Sequence, residues 1–301
     1  MKTKITKLHY DKNAKVPWFL EFCSFFYGMG SGFKNFLYDK GILKPTQVDA
    51  YVISVGNITT GGVGKTPAVA QIAKYFSGER VAVLSRGYGG GYDNRKVNVI
   101  SPDDDVQMAG DEPLWLAQQT GVVVITCKNR IKAARFAVEK FGVTKIILDD
   151  GFQHRKLYRD LDIVLVDSQK RFGNYKLLPA GPLRESLAGL KRADKVVEIH
   201  KSGGDVYNIK TGAALPPGAS VTAVCAIGQP QSFYDLLKDY NVIDTVTFDD
   251  HHQYELKDIE GISGNIITTE KDAVKLQKFG REDIYALKLK ININVGELLN
   301  G

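Results

Sequence analysis

The chain has 301 residues, 44% hydrophobic and 25% charged, which excludes global disorder and fits about two domains at roughly 150 residues each. Lys+Arg number 40 and Asp+Glu 34, a net charge of +6, and residues 1–50 hold eight lysines against four acids, so most of the excess is N-terminal. A near-neutral body argues against a nucleic-acid wrapper, and three scattered cysteines (Cys23, Cys127, Cys225) form neither a disulfide framework nor a zinc pair and fit a reducing cytosol.

Lys2, Lys4, Lys7, Lys12 and Lys15 precede an aromatic segment, VPWFLEFCSFFYGMGSGFKNFLY, over 16–38. At 3.6 residues per turn Trp18, Phe22, Phe25, Met29, Phe33 and Phe36 share one stripe, with Glu21, Ser24, Gly28, Ser31 and Asn35 beside it. The uninterrupted apolar run is much shorter than the ~20 residues that span a bilayer. Glu21, Lys34 and three glycines also oppose a span, and no clean small-x-small site follows as a signal peptide requires. Two readings stay open: a helix in the plane of an anionic membrane surface, or one that docks its stripe on its own core.

From residue 51 short apolar runs alternate with helical stretches: strands at 51–55, 80–85, 122–126, 145–150 and 162–167, helices at 66–76, 113–119 and 129–141, the last with Lys and Arg outward. That alternation predicts a parallel sheet covered on both faces. Residues 201–219, rich in Gly, Pro and Lys, read as a linker. The alternation then resumes with strands at 220–227, 244–248, 265–268 and 284–289 and helices at 231–240 and 270–279. The expected organisation is an N-terminal basic and aromatic helix (1–45), a nucleotide-binding domain (46–200), the linker and a smaller α/β domain (220–301).

The strongest chemical signal is GNITTGGVGKTP, which follows a strand and opens a helix, the context of a P-loop. Backbone N–H groups of Gly61, Gly62, Val63, Gly64 and Lys65 suit phosphate oxygens, the Lys65 ammonium suits the β/γ-phosphates, and the Thr66 hydroxyl suits Mg²⁺. Thr59 stands where the strict pattern has glycine. The GGVGKT core also occurs in partitioning and septum-site ATPases, but their lysine before the paired glycines is replaced by Thr60. A metallochaperone-type NTPase would need a Cys/His cluster, which the sequence lacks.

KIILDDGFQH runs an apolar strand into Asp149 and Asp150. With a P-loop upstream, this suits a carboxylate that holds Mg²⁺, and neighbouring strand residues diverge, so one aspartate takes the metal and the other shapes the turn. His154 reads as a supporting partner or a surface histidine. Asp111, in AGDEP, reads as a helix cap; FDDHH offers His251 and His252 as a base, an orienter or a solvated loop. Arg86 in SRGYGG and Arg184, followed by Glu185, in LPAGPLRES are candidate phosphate or substrate contacts, or plain ion pairs.

GNITTGGVGKTP, SRGYGG, AGDEP, DDGFQH, LPAGPLRE, FDDHH and TTEKDAVK occur in the order found in the tetraacyldisaccharide 4'-kinases, the lipid A 4'-kinases of Gram-negative bacteria, and the resemblance covers residues 51 to 276. The resemblance implies a P-loop NTPase-type α/β core with a second, smaller α/β domain. It implies transfer of the γ-phosphoryl group of ATP, with Mg²⁺, to the 4'-hydroxyl of a tetraacyldisaccharide 1-phosphate at the cytoplasmic face of the inner membrane. It also implies that Asp111 pairs with His251 to take the hydroxyl proton, that Lys65 serves the phosphates, and that Thr66 and the Asp149–Asp150 pair serve Mg²⁺. The expected partners are the lipid A disaccharide precursor and an anionic membrane surface, with no nucleic acid and no obligate protein partner.

Overall fold

A computed structural model describes residues 8–11 and 14–300 of the chain. Lys2, Lys4, Lys7 and Lys12 of the expected basic arm lie outside the described residues.

The segment after Pro17 forms helix α1 (Trp18–Asp39). Its docked face is polar and small. Ser24 is buried, donates to the Leu177 carbonyl at 2.7 Å and accepts from the Ala180 N–H at 3.0 Å. Gly28 packs so closely that a Cβ there would lie 2.8 Å from the Leu177 side chain. The Tyr27 hydroxyl donates to the Arg184 carbonyl (2.8 Å), and Lys34 to that of Gln153 (3.0 Å). The aromatic stripe points the other way, with Trp18 78% and Phe25 64% exposed. The reading in which this stripe packs on the protein's own core is therefore overturned. No helix among the described residues is long and apolar enough to cross a membrane.

Seven strands make the larger sheet: β1 (Tyr51–Gly56), β2 (Val81–Ser85), β3 (Asn98–Ile100), β4 (Val123–Thr126), β5 (Lys145–Asp149), β6 (Leu161–Asp167) and β7 (Lys195–Ile199). Their order is β3-β4-β2-β5-β1-β6-β7, parallel except for β3. One face is covered by α2 (Lys65–Tyr75) and α4 (Asp111–Thr120), the latter preceded by the single turn α3 (Val106–Ala109). The other face is covered by α5 (Arg130–Phe141), whose Ala133, Ala134 and Ala137 pack on Ile125, Ile146 and Leu148. Small residues let this helix lie close to strands that are apolar on both faces, as covered parallel strands are. In the sheet's centre Val55 of β1 is paired with Asp149 of β5. The loop leaving β1 and the carboxylates ending β5 therefore emerge side by side at the carboxyl edge, where open α/β sheets bind ligands.

The second sheet has the order β10-β9-β11-β12-β8, from β8 (Lys201–Asn208), β9 (Ser220–Cys225), β10 (Asn241–Thr247), β11 (Asn265–Thr269) and β12 (Ile284–Ile291). Here the expected linker differs from what forms. Residues 201–208 are an edge strand, antiparallel to β12, with Tyr207 opposite Ala286 and Ser202 opposite Lys290. Their Gly- and Lys-rich composition resembles a linker because an edge strand has little to bury. The helix expected over 231–240 is the short α6 (Pro230–Tyr234). The C-terminal helix α8 (Val295–Asn300) leaves the second sheet, and Leu298 joins the core beneath α2.

Candidate active site

The turn between β1 and α2 depends on two glycines. Gly61 and Gly64 adopt φ of +110° and +100°, which L side chains rarely reach. A Cβ on Gly61 would stand 2.5 Å from Gln229 Nε2. The loop delivers Lys65 at the start of α2, whose first N–H groups have no partner within the helix and suit an anion. Lys65 Nζ donates to Asn57 Oδ1 at 3.2 Å and lies 3.5 Å from Asp150 Oδ1. Thr66, next in the helix, is buried. The second domain leans on the loop: Lys201 donates to the Gly62 carbonyl and to Asp167, each at 2.5 Å.

The two aspartates diverge. Asp149 ends β5 and is only 3% exposed, and among the described residues no hydrogen bond or ion pair reaches its carboxylate. Burial, with Glu112 and Asp150 adding, pushes its carboxyl well above the ordinary range, and Lys65 and Lys271 oppose this only in part. Asp150 enters the left-handed region at φ +55° and turns to Arg184, whose Nη1 donates to both carboxylate oxygens at 2.8 Å. Burial favours its protonated form, but Lys65 and Arg184 outweigh it and hold Asp150 at about 2. A buried, only partly compensated carboxylate at the end of the strand paired with β1, which leads into the phosphate loop, fits a divalent cation. Among the described residues no cluster of three Asp, Glu, His or Cys side chains could cage one.

A second polar centre bridges the domains. Asp111 opens α4 behind Gly110, inside the first turn and not as its cap. His251 stands in the second domain at φ +64°. Its Nδ1 donates to the Asp111 carboxylate at 3.1 and 3.2 Å, and its ring meets Tyr88 edge-on at 5.3 Å. Burial works against the Asp111 charge, but His251, Lys271 and Lys275 outweigh it, to about 2. The hydrogen bond to Asp111 raises His251 above its ordinary value, against burial. His252 is engaged elsewhere: its Nε2 bonds Asp258 at 2.9 Å, and its ring stacks on Phe248 at 4.5 Å.

Of the remaining sequence candidates, Arg184 lies at the centre, with its carbonyl on α1 and its guanidinium on Asp150. Glu185 is buried and accepts from Arg192, Gln153 and Asn35 at 2.8 to 3.2 Å, so it braces the loop beneath α1. Arg86 is exposed after β2. Burial, then Arg130, Lys34 and Arg159, lower His154 to about 4, which keeps it neutral near pH 7.

Several site residues escaped the sequence reading. Arg130, expected on an outer helix face, is buried; it donates to the Cys127 carbonyl at 2.8 Å and to the Asp149 carbonyl at 3.4 Å. Glu112 pairs with Lys271 across the domain junction, and Lys275 lies 3.8 Å from Asp111. The only sequence signal for Glu112, Lys271 and Lys275 was their presence inside AGDEP and TTEKDAVK, and Arg130 had none.

Comparison with known proteins agrees with this geometry. The model of the family "Tetraacyldisaccharide-1-P 4'-kinase" matches residues 16–300. The tetraacyldisaccharide 4'-kinase of Halothermothrix orenii is 41% identical, over 83% of this chain and 80% of its own. That of Syntrophus aciditrophicus is 35% identical, over 92% and 88%. A crystal structure of LpxK from Aquifex aeolicus, described as an "apo" form in complex with ATP, superposes with a TM-score of 0.77 at 32% identity, covering 92% of this chain and 96% of that one. Matched over residues 16–300 and 41% identical to a curated relative, the chain belongs to the tetraacyldisaccharide-1-P 4'-kinase family, lipid kinases that serve lipid A biosynthesis.

Proposed function

We propose that this kinase moves the γ-phosphoryl group of ATP to the 4'-hydroxyl of a tetraacyldisaccharide 1-phosphate, with Asp111 and His251 taking the hydroxyl proton. The 3.1 Å contact between Asp111 and His251, reaching across two domains, carries this reading. His251 donates from Nδ1 to Asp111, which leaves the Nε2 lone pair to accept the proton. The hydroxyl oxygen then forms the new bond to the γ-phosphorus, the bond to the bridging oxygen breaks, and ADP leaves. A sugar hydroxyl is a weak nucleophile, so a positioned base helps, although positioning and charge stabilisation supply most of phosphoryl transfer.

Gly61 to Lys65 hold the phosphate chain through backbone N–H groups and the Lys65 ammonium. Thr66 and Asp149 are the residues to hold Mg²⁺, which when bound neutralises phosphate oxygens. Asp150 orients Lys65 and Arg184, and Arg184 faces the acceptor. The base is split between Asp111 of the nucleotide-binding domain and His251 of the smaller domain built on the second sheet, so closure assembles it and restrains ATP hydrolysis without acceptor. The exposed aromatic stripe of α1 lies in the cytoplasmic face of the inner membrane, where the acyl chains of the acceptor remain.

The test is transfer from labelled ATP to detergent-dispersed tetraacyldisaccharide 1-phosphate. Asp111→Asn and His251→Ala are expected to lower kcat by about 10²–10⁴-fold with ATP binding kept. The double variant is expected to be little worse than the worse single. Multiplicative losses would overturn the dyad, and full transfer by Lys65→Ala would overturn the phosphate-loop assignment.

A further inference from the structure

Behind the Asp111–His251 pair lies a layer of charge in the TTEKDAVK segment. Helix α7 (Glu270–Leu276) follows β11 and packs against α4. Its Lys275 side chain is only 1% exposed, yet ends in an ammonium. The ammonium lies 2.7 Å from Asp272 Oδ1, 3.8 Å from Asp111 Oδ2 and 5.3 Å from the centre of the Tyr254 ring. Asp272 is fully buried and fixed by the fold: its Oδ2 accepts from the Ala226 N–H and from the Thr269 hydroxyl, each at 2.9 Å. A chain of contacts therefore runs from the second sheet through Asp272, Lys275 and Asp111 to His251.

Burying an ammonium and two carboxylates is costly unless each is paired. Lys275 and Asp272 are too deep to touch a substrate, so they act through what they face. With His251 neutral, Asp111, Glu112 and Asp272 carry three negative charges against the two positive charges of Lys271 and Lys275. Asp250, 3.7 Å from His251 Nε2, adds to this negative balance, and His251 is the side chain placed to take a proton. The other groups facing this centre are Tyr88, Tyr254, Cys225 and Tyr234 around the ring and the lysine.

We propose that Lys275 and Asp272 are positioning residues that set the proton affinity of the Asp111–His251 pair. This rests on the reading of that pair as the proton acceptor. Catalysis needs neutral His251, so activity falls on the acid side as His251 takes a proton. Removing the Lys275 charge makes the cluster more negative and the pair more basic, which moves the acid limb to higher pH. Removing the Asp272 charge leaves the ammonium uncompensated and moves the limb to lower pH. Removing both restores the original net charge.

The experiment is the pH profile of kcat for Lys275→Met, Asp272→Asn and the double variant, using the full chain, ATP and detergent-dispersed acceptor. The expected result is an acid limb about one pH unit higher in Lys275→Met and about one unit lower in Asp272→Asn, the size produced by a charge a few ångströms away. In the double variant the limb returns to near its original place. A purely structural pair would lower kcat and thermal stability in all three variants with the limb unmoved, and that result overturns the proposal. Should Lys275→Met not fold, Asp272→Asn decides alone, since its amide oxygen still accepts from Ala226: a downward shift supports the proposal and an unmoved limb overturns it. His251→Gln separates the two levels. An acid limb retained in that variant overturns the dyad reading itself. A limb that disappears with His251 but ignores Lys275 and Asp272 overturns only the charge-setting role.

Discussion

Helices α1 and α2 solve opposite problems. The 11-residue α2 buries Ala68, Val69, Ile72 and Ala73 and exposes Lys74 and Tyr75, as a helix between a core and water does. The 22-residue α1 does the reverse: Ser24 is buried and hydrogen-bonded, while Trp18, Phe22, Phe25, Met29 and Phe33 stand free. Apolar patches of this kind on a soluble surface mark an interaction site. The contrast teaches that amphipathicity by itself says only that a helix has two faces. Which face turns inward depends on what lies outside, and the exposed stripe of α1 suits the proposed membrane surface.

Substituting the two apolar faces gives the largest contrast. Replacing Trp18, Phe22 and Phe25 together with Ser should weaken binding to anionic vesicles by more than about 10³-fold at all salt concentrations, since each fully buried aromatic is worth roughly 1.5–3 kcal/mol. The melting temperature should hardly move, because surface changes usually cost within about 0.5 kcal/mol. A large fall in melting temperature with vesicle binding intact would erase the distinction between the helices. On α2, Ile72→Ala should destabilise the fold by about 2–5 kcal/mol and leave vesicle binding unchanged; denaturant unfolding measures this.

Ser24→Ala tests the docked face of α1. It strands the Ala180 N–H in a buried place, while the Leu177 carbonyl keeps the Gly181 N–H, at a cost of about 1–3 kcal/mol, to be seen as earlier protease cleavage of α1. An unchanged cleavage rate would mean that the helix is held by its ends alone. The smallest effect is electrostatic. Lys15→Gln should weaken vesicle binding by about 1 kcal/mol at low salt and not measurably at 1 M, where the Debye length is about 3 Å. Vesicle co-sedimentation across a salt series separates this term from the aromatic one.

Legibility followed locality. The phosphate loop was readable because its chemistry is contiguous: two glycines supply positive φ, and the lysine follows within four residues. Asp149 and Asp150 were readable as a strand-end pair, but not their division of labour, which comes from the left-handed turn at Asp150 and from Arg184, 34 residues on. Composition does not distinguish His251 from His252, and only the resemblance singled out His251. Only packing sends one to Asp111 and the other to Asp258. Arg130 was misread because a helical pattern places arginine outward by default, and the Asp149 carbonyl that draws it inward is remote in sequence.

The sequence by itself determined the alternation of strands and helices, the phosphate loop and the amphipathicity of α1, because each depends on residues within a turn or two of one another. Tertiary structure decided the edge strand 201–208, the return of the C-terminal helix to the first core, the inward face of α1 and the buried charges around Asp111. Each of these is a choice between partners of similar local fitness. A lysine such as Lys275 is no different from a surface lysine until Asp272 and Asp111 are brought around it, and only the assembled fold supplies the charges that make its burial tolerable.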